Sequence, residues 1–261
     1  MDTPNGARIL VSEGKSVRYA RNGLSDSEIA LFLLGSAWGA LCYQRGFLVL
    51  HASAVLHESK VHAFCGEPGA GKSTIAAALS DEGLQFFADD VLMVSPSVLD
   101  GKETVSGHIG PQGPKLWEDA FGYTRSIKKE PFRNMGRMQK FFADPSSLAS
   151  TSVGELKSVT LLTNPNEDHL EGSIANMERL RGAHAFKALF DNVYRPEFAT
   201  TVLGTRAVFR LLELLSNNVA IRKMSRSKRP RTFRDVQHMV KTSVIDQILR
   251  DKGRSRSKSL T

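Results

Sequence analysis

The stretch Gly66-Glu67-Pro68-Gly69-Ala70-Gly71-Lys72-Ser73 constrains this chain more than any other part of it. It fits G-x-x-x-x-G-K-[ST], with an apolar run over 61–65 before it and a helix-forming run over 74–79 after it. The glycines let the backbone curl so that successive N–H groups point inward. The following helix adds free N–H donors and a positive dipole end. Lys72 can reach the β and γ phosphates of a nucleotide, and the Ser73 hydroxyl can hold Mg²⁺. Phosphate binding is therefore expected from Gly66, Glu67, Pro68, Gly69, Ala70, Gly71, Lys72, Ser73 and Thr74.

Phe86-Phe87-Ala88-Asp89-Asp90-Val91-Leu92-Met93-Val94 reads as one apolar strand interrupted by two carboxylates. Charges inside such a run need a partner. A divalent metal bridging ATP phosphates is one such partner. The alternative is an Asp-Asp turn between two strands, without chemistry. In an extended strand only one of the two side chains can face the phosphate loop, unless a bulge re-aims the other.

His51-Ala52-Ser53-Ala54-Val55, the phosphate loop and Ala88-Asp89-Asp90 together resemble the catalytic domain of HPr kinase/phosphorylase and its stand-alone relatives. Those relatives include the kinases of lasso peptide precursors. The resemblance is specific over about residues 45–95 and diffuse beyond them. It implies an α/β fold, a P-loop kinase domain of the HPr kinase/PEP carboxykinase-like type with a C-terminal helical part. It also implies an ATP- and Mg²⁺-dependent serine kinase acting on a peptide or small protein. Asp90 would accept the proton of the acceptor hydroxyl. Asp89 would support it or help hold the metal, together with Ser73. Lys72 would stabilise the transferring phosphoryl group, and His51 would sit near the phosphates. The chemistry is coherent without the family, because phosphoryl transfer asks mainly for positioning and charge neutralisation.

Two departures matter. The full-length enzymes carry a glutamate-containing, Arg- and Gly-rich segment after the Asp pair; at the equivalent distance this chain has Pro111-Gln112-Gly113-Pro114-Lys115-Leu116-Trp117. They also carry a separate N-terminal domain, whereas only 50 residues precede His51 here. Both differences argue for a trimmed kinase, and against phosphorylase activity and HPr itself as acceptor. A ribosomal precursor peptide of the lasso type is the first choice, an HPr-type phosphocarrier the second and a small-molecule hydroxyl the third. From other classes, the alternatives are a non-catalytic ATP-binding regulatory protein and a hydrolase passing the phosphoryl group to water. The resemblance also suggests a homo-oligomer, though no heptad shows it.

Composition narrows the setting. Cys42 and Cys65 are the two cysteines, so neither a disulfide framework nor zinc-ligand spacing is available. With no leader legible at the N-terminus, the cytoplasm is the expected compartment. The most apolar segment, 29–43, is too short for a span of roughly 20 residues, so no membrane role is expected. The net charge of +8 is uneven: residues 222–261 hold 13 Lys/Arg against 3 Asp/Glu. Such an end could attract an acidic partner. The lack of an RNA-binding module and of aromatics in the tail disfavours nucleic acid.

Along the chain, we expect a P-loop domain over 1–221, a basic helix over 222–250 packed on it, and a disordered tail over 251–261. Two short strands are expected over 7–21 and a helix over 26–44, opened by a Ser25/Glu28 capping box. Strands are expected near 47–50, 53–56 and 158–163, with helices over 72–82, 176–191 and 196–217. A short strand at 219–221 and a Thr232/Asp235 capping box complete the pattern. Residues 96–155 read as irregular and glycine-punctuated, with Lys128, Lys129, Arg133, Arg137 and Lys140 as candidates to contact phosphate or acceptor. Among these Lys140 stands out, because Phe141-Phe142 would anchor it. Arg195 could face the site, cap a helix or lie at the surface.

Overall fold

The computed structural model describes residues 6–110, 113–135, 138–163, 175–226 and 233–244. In chain order it contains β1 (Arg8–Ser12), β2 (Ser16–Ala20), α1 (Asp26–Phe32), a π-helical turn (Leu33–Ala37), α2 (Trp38–Gln44), β3 (Leu48–Leu50), β4 (Ala52–His57), β5 (Lys60–Cys65) and α3 (Lys72–Ser80). Then follow β6 (Gln85–Ala88), β7 (Leu92–Leu99), β8 (Lys102–His108), β9 (Lys115–Trp117), a 3₁₀ turn (Glu118–Gly122), β10 (Ile127–Met135), β11 (Met138–Asp144) and β12 (Val153–Leu162). The last elements are β13 (Ala175–Arg179), α4 (Gly182–Phe190), α5 (Pro196–Val202), α6 (Thr205–Asn218), β14 (Ala220–Arg226) and a helix, α7, over 233–244.

The fold is mixed α/β. Nine strands form the main sheet, in which β5 runs parallel to β12, and β12 parallel to β14. The hairpin partner β4 and then β6 extend it on the β5 side. The β4–β5 turn uses Glu58 and Ser59, both at positive φ (47° and 62°), a backbone shape that matches the twist of the flanking strands. One face packs α2, α4, α5 and α6 through Cys42, Leu189, Ala199, Leu212 and their neighbours. The other face packs α3, and α7 lies over it through Val236, Val240 and Val244. This is why α3 is apolar all round, from Ile75 to Leu79. Gln237 Nε2 also donates to the Ala78 carbonyl at 2.9 Å.

Several expectations need correction. The region over 96–155 is largely extended: β7 and β8 form a hairpin through Asp100 and Gly101 at positive φ, and β10, β11 and β9 form a second, three-stranded sheet. Its strands mix charged residues without period-two alternation, so the pattern did not announce them. The expected helix over 176–191 starts only at Gly182, because Ala175–Arg179 pair antiparallel with β14. The helix over 196–217 is two helices, broken at Gly204 (φ 85°). The strand at 219–221 runs on to Arg226. The Ser25/Glu28 capping box is present, and the helix it opens carries a π-helical turn in the middle. Thr232, Arg137 and the tail over 251–261 lie outside the described residues. Among the described residues, no helix is long and apolar enough to cross a membrane.

His62 is fully buried on β5, with one ring nitrogen 2.8 Å from Ser158 Oγ and Nε2 without a partner. Burial, then Arg222, pushes its pKa down to about 3. The unfolded chain therefore binds one more proton than the folded one between about pH 6.5 and that value. Stability should be level above pH 6.5 and fall by about 1.4 kcal/mol per pH unit below it from this residue. Urea unfolding between pH 7 and pH 4 should show His62→Gln losing one proton's worth of that slope; identical slopes would refute the assignment.

Candidate active site

The loop over 66–73 leaves the carboxyl end of β5 and enters α3, where crevices beyond parallel strands commonly bind ligands. Gly66 has φ 137°, and a Cβ there would sit 2.3 Å from the Leu162 carbonyl oxygen. Gly71 caps α3 at φ 86°, and a Cβ there would sit 3.4 Å from the Arg226 guanidinium. Both positions therefore require glycine. Arg226 donates to the Ala70 carbonyl at 3.0 Å, and Asn192 Oδ1 accepts the Gly66 N–H at 2.9 Å. The Lys72 ammonium folds onto the carbonyls of Gly66 (2.7 Å) and Glu67 (3.1 Å).

The expected Asp-Asp strand is in fact two strands, β6 and β7, joined at the pair. The Val91 N–H donates to the Asp89 carbonyl at 2.8 Å, and Asp90 adopts φ 63°. This tight turn answers the alternation problem, because each carboxylate has its own direction. The neighbouring β3 and β4 break at His51, directly beside it. The His51 Nδ1–H donates to the Asp90 carbonyl at 2.9 Å, which leaves Nε2 as an acceptor. Burial, then Lys72, lowers the His51 pKa and keeps the ring neutral at pH 7.

Asp89 is 1% exposed, and three donors hold it. Ser73 Oγ and Ser53 Oγ each donate to Oδ1 at 2.7 Å, and the Lys115 N–H donates to Oδ2 at 2.9 Å. Asp90 is half-buried; Lys115 Nζ is ion-paired with its Oδ2, and Lys140 Nζ lies 3.9 Å from its Oδ1. Burial, then the neighbouring Asp90, pushes the Asp89 carboxyl up. Burial would push Asp90 up too, but Lys140 and Lys115 outweigh it and hold that carboxyl below its usual range. Of the two, Asp90 is therefore the one whose charge the neighbouring lysines favour.

Two cavities meet here. One, of about 670 Å³, is lined by Gly69, Gly71, Lys72, Ser73, Thr74, Asp90, Lys115 and Lys140 among others. The other, of about 1120 Å³, begins at Gly66 and Glu67 and runs between β12, β13 and α4. His51, Pro68, Tyr194 and Arg195 border both. The structure thus brings together His51, Lys72, Ser73, Asp89 and Asp90. Ala70 is the exception in the loop, since its side chain packs into the core. Arg195 caps α5 and also lines both cavities, with its guanidinium over the Tyr194 and Phe198 rings. Lys128 and Lys129 instead pair with Glu118 and Asp144. Sequence reasoning missed Ser53, Asn192, Arg226 and the engagement of both carboxylates by Lys115.

The Ser73 hydroxyl beside a carboxylate is a hard-oxygen donor set that suits Mg²⁺, an ion that takes few protein ligands and keeps waters and phosphate oxygens. Ser73 would be the direct ligand and Asp89, with both oxygens already engaged, would orient it from behind. Among the described residues no cluster of three or more His, Cys, Asp and Glu could hold a metal by itself.

No family model matches this chain, and no curated protein matches it. Among solved structures, the HPr(Ser) kinase/phosphatase from Coxiella burnetii aligns over 81% of this chain and 97% of its own, with 15% identity and a TM-score of 0.40.

Gly66→Ala should lower the melting temperature and abolish nucleotide binding, because the clash is with backbone and the loop must shift. Ser53→Ala removes one donor from a buried carboxylate and should destabilise by about 1–3 kcal/mol, read by thermal or urea unfolding. A Ser53→Ala protein as stable as the wild type would show that Asp89 does not depend on it.

Proposed function

We propose that the protein is an ATP-dependent kinase that transfers the γ-phosphoryl group to a serine hydroxyl of a peptide or small protein. The observation that carries this reading is the placement of Asp90. Its carboxylate lines the same cavity as Lys72, Ser73 and the loop N–H groups, where the end of a bound triphosphate would lie. A loop that only binds nucleotide needs one metal-supporting carboxylate, and Asp89 already fills that role behind Ser73.

The loop over 66–74 takes the phosphates, with its N–H groups and the start of α3 facing them. Lys72 turns from the loop carbonyls to the phosphate oxygens. Mg²⁺ bound at Ser73 would neutralise phosphate charge. Asp90 orients the acceptor hydroxyl and accepts its proton. Because its carboxyl is held low, its contribution is more positioning than proton affinity, which suits a loose transition state. His51 holds the turn that carries Asp90.

The larger cavity opens at the first residues of the loop, the γ-phosphate side, and suits the acceptor. Its walls combine Leu161, Leu162 and Leu180 with the charged residues Glu178, Lys187, Asp191 and Lys223. Mixed apolar and charged walls of this size fit a peptide segment better than a small sugar or alcohol. A ribosomal precursor peptide is the acceptor we favour, with a phosphocarrier protein of the HPr type second.

Incubation with labelled ATP, Mg²⁺ and candidate serine peptides should label the peptide. Asp90→Asn should reduce transfer about 10²–10⁴-fold while leaving ATP affinity near that of the wild type. Lys72→Met should weaken binding and transfer together. Transfer by Asp90→Asn at the wild-type rate would refute the assignment of Asp90. ATP turnover without any labelled acceptor would favour a hydrolase.

A further inference from the structure

Lys115 is 2% exposed, stands on the second sheet and lines the same cavity as the 66–73 loop. It engages both carboxylates at once, Asp89 through its backbone N–H and Asp90 through its ammonium. Lys140 comes from the adjacent strand, where it pairs with Trp117, and its ammonium also points at Asp90 from over the Trp117 ring. Together with Lys72, three ammonium groups line one cavity of about 670 Å³ whose walls include two carboxylates, Asp90 and the exposed Asp119. Asp89 lies behind that wall with its oxygens taken by hydrogen bonds.

Burying a lysine beside a carboxylate carries a desolvation cost, and removing one partner of such a pair leaves the other charge uncompensated unless another ion takes its place. Two lysines directed at Asp90 supply more positive charge than that carboxylate can match. Lysine is a point charge on a flexible stem, so an ammonium can exchange one anion for another without moving the backbone. Asp90 itself is fixed at the turn by His51.

We infer that Lys115, assisted by Lys140, binds the γ-phosphoryl group of the nucleotide, and that its ion pair with Asp90 is the resting position it leaves to do so. Lys115 is then a catalytic residue, and the reaction releases the base as it recruits the cation. The acceptor oxygen forms its bond to phosphorus as the bond from phosphorus to the β–γ bridging oxygen breaks. That electron pair leaves with ADP, and the hydroxyl proton passes to Asp90. Lys115 exchanges no proton and only neutralises the oxygens of the moving group. This inference rests on the kinase reading for its catalytic half, while its binding half stands without transfer.

The test compares the affinities of Mg²⁺-bound non-hydrolysable ATP analogue and of Mg²⁺-ADP by titration calorimetry. Lys115→Met should weaken the triphosphate about tenfold or more, as expected for a charge-assisted contact, and leave ADP within about twofold. Lys115→Arg should keep most of the preference, and Lys140→Ala should lose part of it. The double variant Lys115→Met/Asp90→Asn removes both charges of the pair together. It should show the same loss of preference should the single variant misfold. Equal losses for ATP analogue and ADP, or no loss for either, overturn the inference even where wild-type transfer is intact. A protein that tells ATP from ADP through Lys115 yet labels no acceptor supports the contact and overturns the kinase reading instead.

Discussion

The buried carboxylate of Asp89 is the constraint on which the site depends. A fully buried carboxyl group at the junction of sheet, loop helix and second sheet is tolerable only because three donors reach it from three different elements: Ser53 on β4, Ser73 on α3 and the Lys115 N–H on β9. Each of those elements is thereby registered against the others. Loss of any one donor leaves the remaining oxygen lone pairs buried without hydrogen, so the three parts behave as a unit.

The second requirement is that two adjacent strands interrupt at the same level. β3 passes to β4 at His51, and β6 passes to β7 at Asp89 and Asp90. His51 bonds across these interruptions to the Asp90 carbonyl, while its own N–H donates to the Asn192 carbonyl at 2.9 Å. Asn192 in turn holds the first N–H of the 66–73 loop. A short path of hydrogen bonds thus runs from Asp90, through the histidine and asparagine, to the loop. Positive φ at Asp90 is the local strain that this path sustains.

Much of this was legible in the residues. The loop motif and its flanks, the capping box at Ser25, the acidic doublet and Lys140 could all be read because each rests on local chemistry. The second sheet could not. Its strands are held by pairing between segments such as 115–117 and 140–142, which no local pattern encodes. Lys115 was visible only as a place where a glutamate was missing, and nothing in the sequence said that its main chain would serve Asp89. Ser53 lay within a quoted run, but a serine in a buried strand is more often packing than chemistry. The helix expected over 176–191 begins only at Gly182, because Ala175–Arg179 take their structure from β14. Tertiary pairing overrode helical propensity there.

The π-helical turn at Leu33–Ala37 has its own consequence. Upstream, Ile29 packs with the first hairpin; downstream, Cys42 and Tyr43 pack with the main sheet. Gly35 and Gly39 lie close against Tyr194, so the same stretch borders the cavities. An added residue in a helix changes its angular phase by about 100°. One helix can therefore serve two separate cores whose directions do not match along an unbroken spiral. Insertions and deletions in that turn should accordingly be far less tolerated than substitutions, since a change in length would unseat one core in order to keep the other.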